Sequence, residues 1–198
     1  MLKIEYVWRE LLYRVIEQRN PDFTLLELSK KFSLSTSVIS HAVDPLRDLK
    51  IVEIRKTRSR IVDAEKLLFF WATRRNLKKD IIYTAFSGLP VFEKEALMPA
   101  DCLPTAYSFF RLYFKEPLPA DYTEVYFYVW NVEEVEKRFP PQPKKEHNIF
   151  ILQADPYLSK YKKPPLAQVF ADLWNLPQWY AKEYTDALLE KIKTLLGL

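Results

Sequence analysis

Residues 24–62 read TLLELSKKFSLSTSVISHAVDPLRDLKIVEIRKTRSRIV, and the change of hydrophobic period inside this stretch decides how the first third of the chain folds. Thr24 followed by Glu27 is the Ser/Thr-x-x-Glu pattern in which side chains satisfy the free amides of a helix start. The spacing predicts a short helix over 25–32 that buries Leu25, Leu28 and Phe32. Ser33-Leu34 makes a tight turn, and Ser35 caps a further helix that presents Val38, Ile39, Ala42, Val43, Leu46 and Leu49 to a core. Pro45 removes the amide that would bond the His41 carbonyl, so a kink or a helix end near Asp44 is expected. After Lys50 the period falls to two. Two β-rich runs, Ile51–Ile54 and Ile61–Asp63, flank a basic tip, Arg55-Lys56-Thr57-Arg58-Ser59-Arg60, and read as a hairpin whose turn type is left open by the lack of Gly or Asn-Gly.

Upstream, Ile4, Val7, Trp8, Leu11, Leu12, Val15 and Ile16 recur at helical spacing over Ile4–Gln18, and Asn20-Pro21-Asp22 is a turn. The order helix, short helix, turn, helix, hairpin is that of a winged helix-turn-helix, expected over residues 1–65. Such a unit sets its third helix into the major groove of double-stranded DNA, where residues at the helix start reach base edges and phosphates. Here those residues are Ser35, Thr36, Ser37, Ser40 and His41, all able to hydrogen-bond, with Arg47 further along and nearer the backbone. Arg55, Lys56, Arg58 and Arg60 supply charge for phosphates or the minor groove; at strand period Lys56, Arg58 and Arg60 would point to one side. Residues 1–80 hold 17 Lys and Arg against 11 Asp and Glu, a net of +6, whereas the remainder holds 13 against 15, a net of −2. Positive charge gathered on one half fits a nucleic-acid partner.

Downstream, a linker helix is expected over 66–80, starting from Asp63 or Ala64, and a mixed α/β domain over 81–198, making the whole chain α+β. Val125–Trp130 and Asn148–Gln153 are strand candidates, and Pro140–Lys145 is a stiff, solvated turn. Helices over Leu166–Trp174 and Pro177–Leu196 close the chain, the last with an apolar stripe of Leu188, Leu189, Ile192 and Leu195. No apolar run approaches the ~20 residues of a membrane span, and the charged start MLKIEYVWRE lacks a signal-peptide core, so no membrane partner is expected. The lone Cys102 forms no internal disulfide and suits a reducing cytoplasm.

Catalysis is not expected. Two glycines cannot build a phosphate-binding loop or a dinucleotide fingerprint, and a Ser or Cys nucleophile lacks a plausible base, because His41 belongs to the DNA-binding unit and His147 to a charged loop. No cofactor or metal is called for. The alternative enzyme is a metal-dependent nuclease on the winged-helix module, with Asp121 and Glu124, or Glu133, Glu134 and Glu136, as ligands. A winged helix kept only as a protein-interaction adaptor is the other alternative.

Two further stretches, DAEKLLFFWATRRNLKKDIIYTAFSG over 63–88 and PPLAQVFADLWNLPQW over 164–179, follow the DNA-binding pattern in order. With Gln168 and then Asp172-Leu173 before a Pro, the chain resembles the AbiEi-type transcriptional regulators, antitoxins of type IV toxin–antitoxin systems. The resemblance implies a repressor of its own operon. It also implies that the second domain opposes a nucleotidyltransferase-like toxin without forming a tight complex. Residues 93–148 match nothing in that pattern. Ordinary packing is the plainer reading of the closing segment, with Asp172 capping the turn near Asn175, and Gln168, Trp174 and Trp179 packed within the domain. A homodimer on a two-fold operator is compatible with the fold, although no long coiled-coil helix is present to impose it.

Overall fold

Trp8 organises the first of two units in the computed structural model, which describes residues 1–142 and 146–198. Its indole lies in helix α1, Lys3–Glu17, and its Nε1 donates to the Ala42 carbonyl of α3, Thr36–Asp48, at 2.8 Å. The same ring meets Phe70 of α4, Ala64–Arg74, edge to face at 5.1 Å. Val7, Leu11, Leu12 and Ile16 complete the buried face of α1, as the helical spacing requires.

Helix α2 spans Leu25–Phe32. Thr24 caps it, its side chain accepting from the Glu27 amide at 3.1 Å. The Glu27 carboxylate faces the Thr24 backbone amide and also takes Arg14 of α1. Leu28 and Phe32 are buried and Leu25 is half-buried. Ser33 turns the chain in the left-handed region, φ 49°. Lys50 does the same after α3, φ 55°, as the Ile51 amide returns to the Leu46 carbonyl at 2.8 Å. Leu49, expected in the core, sits at this helix end and is exposed.

Strands β1, Asp22–Phe23, β2, Val52–Glu53, and β3, Ser59–Ile61, form an antiparallel sheet in the order β1-β3-β2. Val52 pairs with Ile61, so the expected hairpin is present. β1 lies where only a turn was expected: two residues are too few to show a period, and Phe23 is fully buried.

The boundaries read from sequence, 65 and 80, are not those of the structure. The first unit comprises Met1–Arg75, Pro165–Ala171 and Leu188–Leu198. α4 is no linker; Leu67, Leu68, Phe70, Trp71 and Ala72 are buried. Returning segments cover the faces that local elements leave open. Phe170 meets Phe69 edge to face at 5.6 Å, the Leu166 amide donates to Glu17 at 2.9 Å, and Lys193 pairs with Glu65 at 3.6 Å. Inside this unit Glu5 accepts from the Trp71 indole at 3.3 Å and pairs with buried Arg75 at 3.4 Å. Burial pushes the Glu5 carboxyl above its ordinary range against the opposing pull of Arg75.

The second unit, Asn76–Pro164 with Asp172–Ala187, carries a mixed sheet. Its strands are β4, Ile81–Ala85, β5, Leu103–Thr105, β6, Val125–Val129, and β7, Ile149–Gln153, in the order β4-β7-β6-β5. Only β6 and β7 are parallel, and helix α7, Glu133–Arg138, lies in the crossover between them. Of the Pro-rich run expected to be a stiff turn in that crossover, residues 143–145 lie outside the described residues. Helices α5, Val91–Ala96, and α6, Ala106–Tyr113, come earlier, and α8, Leu166–Trp174, and α9, Ala181–Leu196, later. Every residue of β6 is buried. Tyr107 of α6 packs against Tyr122, Tyr126, Tyr180 and Tyr184, with ring centroids 4.9–5.9 Å apart. The Asp172 carboxylate is fully buried and accepts from Thr105 Oγ1 at 2.8 Å and Tyr128 Oη at 2.7 Å. At the turn that follows, the Asn175 amide donates to the Asp172 carbonyl at 3.1 Å. Among the described residues no helix is long and apolar enough to cross a membrane.

Candidate nucleic-acid interface

Ser35, Thr36, Ser37 and His41 are exposed along the start of α3, and Ser40 is half-buried. Ser35 Oγ accepts from the Val38 amide at 3.3 Å, which makes it the cap. The amides of Thr36 and Ser37 stand in the first turn, where a helix has no carbonyls of its own to offer. Hydroxyls, an imidazole and two outward amides therefore share one helix end, a set able to bond an anionic oxygen or a base edge.

α3 does not end near Asp44; it runs through Pro45 to Asp48. Ala42, Val43 and Leu46 are buried on both sides of the proline and Trp8 grips the Ala42 carbonyl, so packing holds the helix across the missing bond. The residue that loses its partner, His41, is on the exposed side, where water can take its place.

The five cations and the imidazole beyond the hydroxyls are all exposed, but the cations are not equivalent. Arg47 lies 3.3 Å from Asp44 and 3.5 Å from Asp48, and its charge is offset on its own helix. Arg55 pairs with Glu53, and Arg60 stands 3.8 Å from Asp22. Among the described residues Lys56 has no acidic partner. Arg58 acts at longer range on Glu27: burial pushes that carboxyl up, but Arg14, the Thr24 backbone amide and Arg58 together hold it below its ordinary range.

The period-two alignment of Lys56, Arg58 and Arg60 is not what the chain adopts. The strands stop at Glu53 and resume at Ser59, with bends at Lys56 and Thr57, so only Arg60 lies in a strand. Without Gly or Asn-Gly for a two-residue turn, the hairpin opens into a loop over 54–58. Sequence reading also missed Lys30 and Lys50, exposed cations without acidic partners among the described residues. Their signal was the net charge of the segment, since neither belongs to a motif.

The residues of the nuclease alternative are placed separately. Glu134 pairs with Lys137 at 2.7 Å on the exposed face of α7, and Glu124 accepts from Tyr180. Asp121 and His147 are exposed, and among the described residues no three His, Cys, Asp or Glu converge to hold a metal ion. Compared with protein-family models, with curated proteins and with solved structures, the chain matches none.

Proposed function

We propose that the first unit is a winged helix-turn-helix and that the protein is a DNA-binding transcriptional regulator. In this reading the start of α3 enters the major groove and the 54–58 loop lies against the flanking backbone. One observation carries it: a single unit holds an exposed, hydroxyl-rich helix start and exposed cations, of which Lys56 has no acidic partner among the described residues and Arg58 meets an acid, Glu27, only at longer range. Charge placed this way contributes salt-sensitive affinity, and the helix start contributes base selection. Resemblance to AbiEi-type antitoxins extends the proposal to repression of its own operon. The second unit would then oppose a nucleotidyltransferase-like toxin.

The test is selection of the full-length protein on a duplex library with a randomised core, followed by anisotropy titration over a range of salt. An enriched motif is expected, and replacing Lys56 and Arg58 with Ala is expected to flatten the log–log salt slope by about 2, at roughly 0.9 per phosphate contact. No enrichment, together with an unchanged slope, overturns the reading. Rescue of growth when this chain is co-expressed with a toxic nucleotidyltransferase from the adjacent reading frame tests the antitoxin extension.

A further inference from the structure

We infer that the cleft between the end of α8 and the start of α9, within the second unit, binds an uncharged, planar aromatic small molecule. The cleft is open to solvent on one side and has a volume of about 580 Å³, within the roughly 300–1,000 Å³ typical of small-molecule sites. Leu173, Leu176 and the indoles of Trp174 and Trp179 line it. Trp179 is 78% exposed and Trp174 45%. Two indoles left facing water around one concavity give flat apolar surface that a stacked ring would cover.

The charges of the wall decide the class of occupant. Lys182 and Asp186, one turn apart on α9, are paired at 2.6 Å and offset one another. An exposed pair of this kind leaves the wall without net charge, so it offers a charged ligand no attraction to offset its lost hydration, and a neutral ligand needs none. Gln178 gives the wall its polar mark and is already fixed from behind, accepting from Tyr107 Oη at 3.3 Å and bonded to Tyr126. Tyr180, which backs Trp179 edge to face at 5.5 Å, is tied to Glu124 through its hydroxyl. The Gln178 and Tyr180 side of the wall is thus set before any ligand arrives, which lowers the ordering cost of binding. A partner helix, about 10 Å across with its side chains, needs a longer trough than this volume offers.

The experiment is a titration of the full-length chain with the neutral probe N-phenyl-1-naphthylamine, followed by probe fluorescence. Saturable binding of one probe per chain is expected. Trp179→Ala is expected to weaken it about tenfold or more, as loss of a central aromatic anchor does. Trp174→Phe, which keeps a ring, retains binding, while Trp174→Ala loses it. The anionic probe 1-anilinonaphthalene-8-sulfonate binds more weakly. Circular dichroism and the thermal transition of each variant verify that the exposed substitutions leave the fold intact. Absence of saturable binding, or equal affinity in the wild type and both alanine variants, overturns the inference. So does a dimer seen by sedimentation that Trp179→Ala dissociates, because a second copy would then be the occupant.

Discussion

Arg9 and Gln168 stand 159 positions apart in the chain and meet inside the first unit, where Arg9 Nη1 donates to Gln168 Oε1 at 2.9 Å with both residues fully buried. A guanidinium out of water depends on such acceptors. Replacing Gln168 with Leu is therefore expected to lower stability by about 2 kcal/mol, the scale of a hydrogen bond to a charged group. Urea denaturation at neutral pH measures it, and an unchanged midpoint counts against the role. A fragment of residues 1–80 lacks Gln168 and the Phe170 ring that meets Phe69. It is expected to show no cooperative thermal transition.

In the second unit the carboxylate of Asp172 takes two donors, Thr105 Oγ1 and Tyr128 Oη. Tyr128→Phe and Thr105→Val each remove one and leave the buried acid less satisfied, a loss of about 1–3 kcal/mol apiece. The two effects share one acceptor and are expected not to add. Two variants as stable as the parent would show that the acid is satisfied elsewhere.

Where an element's own period carried the information, the sequence was sufficient: α2 spans the expected 25–32, Ser35 and Thr24 cap as read, and β6 and β7 fall within a residue of their expected limits. Failures came where tertiary contacts outweighed local preference. Pro45 argues for a break, yet burial of Val43 and Leu46 and the Trp8 bond keep α3 whole. Nothing near Arg9 in sequence names Gln168 as its partner, so the return of 165–171 to the first unit could not be read. At the candidate interface, residue identities were legible but pairing was not. That Arg47 is offset while Lys56 is not depends on which acids reach them.

That difference in pairing has a measurable consequence. Under the DNA-binding reading, Arg47→Ala is expected to leave the salt slope nearly unchanged, because Asp44 and Asp48 already offset the charge. Asp44→Asn with Asp48→Asn releases Arg47 and is expected to steepen the slope by about 0.9 and to strengthen binding. A large loss in Arg47→Ala, with no gain in the double variant, would show that DNA draws Arg47 away from its acids.

Cys102 is expected to be inert. Burial, aided by Asp101 and opposed by Arg138, pushes its thiol from an ordinary 9.0 up to about 12. Because the folded state holds the proton longer than the unfolded chain, this group's contribution to stability is complete below about pH 9 and is lost as pH rises toward 12. At pH 8 iodoacetamide should alkylate the native chain at least about a hundredfold more slowly than the urea-unfolded chain, since only the thiolate reacts. Equal rates would place Cys102 in an open, ordinary environment.

Pro45 offers the sharpest test of how α3 is held. A proline in a helix interior forgoes one hydrogen bond and crowds the carbonyl four residues back, a cost of about 3 kcal/mol against alanine. Part of that is offset because proline also restricts the unfolded chain, by about 0.4–1 kcal/mol. Here the packing of Val43 and Leu46 has absorbed the remainder. Pro45→Ala restores an amide for the His41 carbonyl without adding bulk to this half-buried position. The thermal midpoint is expected to rise, with a net gain of about 2–2.5 kcal/mol in urea. If the midpoint falls instead, the ring of Pro45 contributes packing that outweighs the missing bond, and α3 is held by the proline rather than in spite of it.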